Sequence, residues 1–120
     1  MTQPNEMTNA ELNEVLAVEV MGLAKLHHEG VLRYVEGREK YTSIVWNPAE
    51  DLNQAIECAE KLWAGGYPCV ELMTERRFIE GNNIEWRAYV DNGCCRWWES
   101  INQSPARALS EAVLMAKRGD

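Results

Sequence analysis

The segment of residues 91–100, DNGCCRWWES, concentrates side chains that could do chemistry. Two adjacent cysteines could ligate a metal, and two tryptophans with an arginine could instead form a platform for a planar ligand. Neighbouring residues of a strand point to opposite faces, so Cys94 and Cys95 are not expected to share one metal ion. The only histidines are His27 and His28, and no C-x-x-C pair is present. The sequence therefore predicts no metal site.

The four cysteines are expected to be free thiols. The chain starts with a polar, acidic stretch, which is unlike a secretory signal or a transit peptide. No apolar run approaches the ~20 residues of a membrane helix. We therefore expect a protein of the reducing cytoplasm, where disulfides are rare. The chain has four cysteines, Cys58, Cys69, Cys94 and Cys95, and most of them should then serve as small core side chains.

The turn inside this segment predicts how its strand pairs. Asn92-Gly93 is the strongest two-residue hairpin signal, because both residues tolerate a positive φ. A hairpin closed on it pairs Val90 with Cys95, Ala88 with Trp97 and Trp86 with Glu99. One face of the hairpin then carries Trp86 and Trp97 among small apolar residues, and we expect both tryptophans to be buried there.

The opposite face of the same hairpin gives the first set of candidate binding residues. It would carry Arg87 beside Trp98 and Tyr89 beside Arg96, which suits cation–π contacts across the strands. Such a platform could bind a nucleotide-like small molecule, with guanidinium on phosphate and indole on base. The alternative is a sheet surface whose four side chains satisfy one another or are covered by a helix.

Negative charge gives the second set of candidates. The net charge is -7, and its excess lies in two segments that read as helices. Such a surface repels phosphate backbones, which argues against direct nucleic-acid binding, and it favours a basic protein partner. The alternative is a solvated helix face that aids solubility. The candidate residues are Glu11, Glu14, Glu57 and Glu60.

Known catalytic motifs are missing from the sequence. It has no Gly-rich phosphate loop, no H-E-x-x-H and no G-x-S-x-G. We therefore expect a protein that is not an enzyme and that needs no cofactor, and an uncharacterised enzyme remains the alternative.

The first half of the chain predicts two helices around a hairpin. Thr8 and Glu11 have capping-box spacing, and apolar residues at helical intervals carry the helix to about His27. Strands are expected at residues 31–36 and 41–46. Asn47 then caps a second helix that ends at Gly65-Gly66. One apolar stripe should bury this helix, and it consists of Leu52, Ala55, Ile56, Ala59, Leu62 and Trp63.

The second half predicts three strands and a last helix. The strands should cover residues 69–74, 85–90 and 94–99, and Ser104-Pro105 opens the helix. The order α-ββ-α-βββ-α with short loops indicates an α/β protein of the α+β type. We expect a three-layer α/β/α sandwich with three helices and an antiparallel sheet of about five strands. Residues 1–7 should be a flexible N-terminal tail, and residues 8–120 a single domain.

Four stretches resemble small phage and prophage proteins with an "ABA sandwich" domain, the NinX-like family. They are ELNEVLAVEVMGL, WNPAEDLNQAIECAEKL, WRAYVDNG and SPARALSEAVLMAK, which together span about residues 11–117. The resemblance implies a phage origin, hence the cytoplasm of a bacterial host cell, and the same three-layer fold. Members are largely of unknown function, so no catalytic residue can be transferred.

These observations together predict a phage-derived accessory protein that is not an enzyme. It would act by stoichiometric binding to a host or phage protein, for example as a counter-defence inhibitor, without contacting nucleic acid or membrane directly. The alternative is a small-molecule or nucleotide-binding module that uses the arginine and tryptophan side chains of the sheet.

Overall fold

The first helix begins where the sequence predicts and ends early. In the computed structural model, which describes residues 2–28, 31–36, 38–42, 45–67, 69–76, 84–93 and 96–119, Thr8 and Glu11 form the predicted capping box. Helix α1 (Asn9–Val15) continues as a π-helical turn (Leu16–Val20). Gly22 then adopts a φ of +71°, which ends the helical path. The prediction of a helix to His27 is therefore wrong.

Strand β1 (Ala24–His28) takes the place of the predicted end of that helix. It pairs antiparallel with β2 (Val31–Glu36), which pairs antiparallel with β3 (Arg38–Thr42). The predicted hairpin is thus present, with its second strand earlier than residues 41–46. His27 and His28 therefore lie in a strand and not at a helix end.

The N-cap of helix α2 (Leu52–Ala64) lies four residues after the predicted cap. Asp51 is the N-cap, and its carboxylate accepts the backbone N–H of Asn53 at 2.9 Å. Asn47 instead opens a turn, in which its carbonyl accepts the N–H of Asp51 at 2.8 Å. Gly65 and Gly66 end the helix as predicted, with φ +107° at Gly66.

The second sheet pairs in a register three residues away from the predicted one. Its strands are β4 (Cys69–Arg76), β5 (Ile84–Asp91) and β6 (Trp97–Asn102), in the order β4-β5-β6 and all antiparallel. Ala88 faces Ser100 and not Trp97. The connection spans residues 92–96 and is closed by the N–H of Asn92 on the carbonyl of Arg96 at 3.1 Å.

A shift by an odd number of residues moves every side chain of β6 to the other face. Trp98 is therefore in the core with 6% of its surface exposed, whereas Trp97 is 60% exposed. The prediction that Trp97 is buried is wrong. Trp86 is half-buried and packs against the core as predicted. Cys94 and Cys95 lie outside the described residues.

Helix α3 (Pro105–Arg118) is the centre of the molecule. Ser104 caps it and Pro105 occupies its first turn, as predicted. Every residue from Ala106 to Leu114 is buried, because α3 packs on β5 and β6, on α2 and on the N-terminal helical segments. Pro4 and Met7, in the segment predicted to be a flexible tail, are also buried.

The fold is α+β, but it is not the predicted three-layer sandwich. No sheet in the described part of the chain has more than three strands, because each group of strands pairs only within itself. The face of the second sheet that carries Ala88, Val90 and Trp98 is buried, whereas Trp97 and Ile101 on the other face are exposed. Within the described residues, no helix has the length and apolar character needed to cross a membrane.

Candidate functional site

The predicted platform on the second sheet is divided between two faces. Arg87 and Tyr89 lie on the outer face, whereas Trp98 lies on the buried face. Arg96 lies in the loop before β6, and its guanidinium carbon is 5.1 Å from the Trp98 ring centroid. The structure therefore brings Arg96 and Trp98 together, but it does not assemble the four residues into one surface.

The outer-face members of that set have partners within the sheet. The Nε of Arg87 is 3.4 Å from a carboxylate oxygen of Glu99, and the hydroxyl of Tyr89 donates to Asp91 at 3.2 Å. These contacts agree with the alternative that the side chains satisfy one another. A stacking ligand would find neither an exposed Trp98 nor two converging guanidinium groups here.

The four acidic candidates have different surroundings. Glu11 is occupied by the capping box, where its carboxylate accepts the Thr8 hydroxyl at 3.0 Å, and Glu14 pairs with Lys25. Glu57 and Glu60 are exposed on α2. Among the four, only Glu60 lines one of the clefts described below. The structure therefore singles out Glu60 among the acidic candidates.

An apolar groove lies between α2 and the edge of the second sheet, and we call it the α2–β4 groove. It encloses about 470 Å³, within the range of ligand pockets. Ala59 and Leu109 are its buried members, and Ile56 and Trp63 line it from α2 while still exposed to solvent. Trp63 is 66% exposed, which is a large apolar surface to leave in water.

The position of α2 explains why the groove is open. The helix packs mainly on α3, and its buried residues are Ala55, Cys58, Ala59 and Leu62. Ile56 and Trp63 lie roughly a quarter turn around the helix from Ala55 and Leu62, at 100° per residue. They therefore sit at the margin of the buried stripe, and the prediction that the whole stripe is core is wrong for these two residues.

Strand β4 forms the other wall and meets the groove edge-on. Val70, Glu71 and Leu72 all line it. Successive side chains of a strand point to opposite faces, so three consecutive residues can border one cleft only where the cleft reaches the edge of the strand. The sheet order β4-β5-β6 makes β4 an edge strand of the described sheet.

A second cleft, the N-terminal polar cleft, lies beside the start of α3 and encloses about 570 Å³. Its central residue is Arg107, which is buried and is 2.7 Å from a carboxylate oxygen of Glu111. The same guanidinium donates to Asn9 at 2.8 Å and to the carbonyls of Pro4 and Met7 at 2.9 and 2.6 Å. Arg107 thus binds the N-terminal segment to α3.

The carboxylates of the polar cleft are also engaged. Glu111 accepts the Ser100 hydroxyl on its second oxygen. Hydrogen bonds from Asn47 and Asn9 lower the pKa of Glu50. A reacting group would have to displace these hydrogen bonds before it could use either carboxylate, which indicates a structural role for this cleft.

Among the described residues, Cys58 is a free cysteine and is buried. Burial, with a smaller contribution from Glu57, raises the pKa of the Cys58 thiol to about 12, so the reactive thiolate is scarce at neutral pH. Within those ranges no three His, Cys, Asp or Glu side chains are grouped as metal ligands.

Sequence reasoning identified one residue of the α2–β4 groove and missed the rest. The sequence predicts Glu60 as a binding residue, but it places Ile56 and Trp63 in the core stripe and does not single out Glu71. A narrower stripe centred on Ala55 and Leu62 leaves Ile56 and Trp63 at its edge, at 100° per residue. Comparisons of this chain with protein-family models, curated protein sequences and solved structures found no match.

Proposed function

We propose that this protein is an accessory protein, not an enzyme, and that it binds a partner protein stoichiometrically in the α2–β4 groove. The observation that carries the proposal is a 66% exposed Trp63 on the wall of an apolar groove of about 470 Å³. Tryptophans that are buried on binding, next to apolar pockets, dominate the affinity of protein interfaces. Trp63 would be the central contact of the proposed interface.

Charge indicates what kind of partner fits. Glu60 and Glu71 line the groove, and the chain as a whole carries -7. A segment that combines apolar side chains with lysine or arginine complements this surface, and long-range attraction would speed its association. The same charge opposes nucleic acid and anionic membrane surfaces.

The resemblance to small phage proteins supports a biological setting for this binding. We place the protein in the cytoplasm of a bacterial host, where its partner would be a host or phage protein with a basic surface. A counter-defence inhibitor that occupies such a surface is one form of this role. The satisfied polar cleft and the inert Cys58 thiol favour binding over catalysis.

Selection of peptides on the full-length protein tests the proposal. The probe is a phage-displayed library of random linear twelve-residue peptides, selected at 50 mM salt and then synthesised for affinity measurement. Enriched peptides should contain apolar residues together with lysine or arginine. Trp63→Ser should weaken their binding at least ~30-fold, as expected for an interface hot spot.

Trp97→Ser provides the matched control, because Trp97 is 60% exposed but lies on the outer face of the second sheet. It should change the affinity less than twofold. The proposal fails if no peptide is enriched, or if the enriched peptides bind the Trp63→Ser and wild-type proteins equally well.

A further inference from the structure

We infer that the α2–β4 groove receives its partner as an extended segment that adds to β4 as a fourth strand. The inference rests on the proposed function and specifies the backbone conformation and side-chain pattern of the partner. Strand addition supplies affinity through main-chain hydrogen bonds and specificity through pockets for alternate side chains.

The first support is that consecutive residues of β4 border the groove, which indicates that it reaches the strand's backbone edge. Val70, Glu71 and Leu72 border it in succession, and β4 is an edge strand of the described sheet. A groove that only held a helix would be lined by side chains from one face of each wall. A chain that lies in this groove instead runs beside the β4 main chain, at the spacing of neighbouring strands.

The second support is the alternation of side chains along β4, because the two faces of the strand have different surroundings. Val70 faces Val90 and Leu72 faces Ala88, so these residues share the buried face of the sheet. Glu71 faces Tyr89 and is exposed on the outer face. An added strand would place every second side chain toward the α2 flank and the residues between them beside Glu71.

These two faces predict the partner's sequence pattern. Side chains directed to the α2 flank would contact Ile56, Ala59 and Trp63, so they should be apolar. The residue between them lies beside Glu71, where an opposite charge across a strand pair is stabilising. The expected motif is apolar-basic-apolar, with apolar residues two positions apart, opposite Val70–Leu72.

A second copy of this chain is disfavoured as the occupant. Antiparallel pairing of two β4 edges about the groove would bring the Glu71 carboxylates of both copies close together. Like charges directly opposite each other destabilise a strand pair. The charge of -7 on each copy adds to this repulsion.

The spacing of apolar residues in the selected peptides tests the inference. Strand addition is supported if the enriched peptides have apolar residues at positions i and i+2 with lysine or arginine between them. Apolar residues at i and i+3 or i+4 would mean that a helix occupies the groove. That outcome overturns the inference and leaves the proposed function standing, whereas peptides insensitive to Trp63→Ser overturn both.

Backbone N-methylation of the tightest peptide gives an independent readout. In a strand pair only alternate N–H groups point to the neighbouring strand. N-methylation at every second position of the central five residues should lower the affinity at least tenfold, and at the positions between them less than twofold. A uniform loss, or no loss at any position, overturns strand addition.

Variation at Glu71 and measurement of the oligomeric state complete the test. Glu71→Lys changes an exposed side chain, and it should shift the selected central residue from basic to acidic. Sedimentation of the full-length protein should show a monomer. A dimer that dissociates in Trp63→Ser would assign the groove to a second copy and overturn the inference.

Discussion

The N-terminal polar cleft and the α2–β4 groove have similar volumes but different walls. In the polar cleft, the Arg107 guanidinium donates to Glu111, one turn along α3, and to three oxygen atoms within residues 4–9. In the groove, Ile56 and Trp63 remain exposed to solvent. Polar groups that are already satisfied gain little from a ligand, whereas exposed apolar surface gains by being covered. Cleft size therefore says less about function than the state of the lining atoms.

Removal of Arg107 is expected to have the largest effect. Arg107→Ala would leave Glu111, which is 2% exposed, as an unpaired buried charge and would release the carbonyls of Pro4 and Met7. The free energy of unfolding should fall by about 3–5 kcal/mol. Urea unfolding followed by tryptophan fluorescence measures it.

A double variant controls for the loss of the arginine side chain itself. Arg107→Met with Glu111→Leu removes both charges and keeps apolar volume, so it should be clearly more stable than Arg107→Ala. If Arg107→Ala costs less than about 1 kcal/mol, the polar cleft does not hold the N-terminal segment, and its polar groups become available for a ligand.

Two tryptophans extend the comparison to the rest of the protein. Trp98 is 6% exposed and packs near Tyr67, with ring centroids 6.2 Å apart. Trp98→Ala should cost about 3 kcal/mol of unfolding free energy. Trp63→Ser should change it by no more than about 0.5 kcal/mol, because surface substitutions rarely do more. A destabilisation of 2 kcal/mol or more in Trp63→Ser would mean that the groove is part of the core.

Local signals in the sequence predict where helices begin and end better than they predict which residues pair between strands. The Thr8 capping box, the Ser104-Pro105 helix start and the Gly65-Gly66 helix end all involve neighbours in the chain, and the structure has them. The pairing of β6 depends on how the chain closes between Asp91 and Trp97. The hairpin signal of Asn92-Gly93 was overridden by a five-residue connection.

The candidate site was harder to predict because it depends on packing between elements. The apolar stripe of α2 shows that one side of the helix is buried, but not how far the cover extends around it. Trp63 lies at that margin and is exposed to solvent, at the wall of the groove. Sequence alone also could not distinguish one five-stranded sheet from two groups of strands, since each strand has the same local pattern in both.

The buried Cys58 thiol of α2 should make the free energy of unfolding depend on pH, whereas the groove side of the helix should not. Burial raises the pKa of the Cys58 thiol from 9.0 to about 12. Below pH 9 this thiol is protonated in both the folded and the unfolded chain, so the folded state keeps its full stability there. Above pH 9 the unfolded chain loses this proton while the folded chain retains it, and stability decreases up to about pH 12. Between pH 8 and 10, the wild type should lose about 1.4 kcal/mol more than Cys58→Ala. Parallel pH profiles of the two proteins would contradict the burial of this thiol.

Charge reversal should produce the smallest effect, and it separates the acidic residues from one another. Glu60→Lys should weaken a groove-selected basic peptide about 5–10-fold at 50 mM salt, mostly through slower association, and much less at 500 mM salt, because exposed charges are screened. Glu14→Lys is the matched control, since Glu14 pairs with Lys25 and does not line the groove. It should change the affinity less than twofold. An equal loss in both variants would mean that the partner responds to the net charge of the whole protein. The four predicted glutamates would then act together, and the groove would not be the site of recognition.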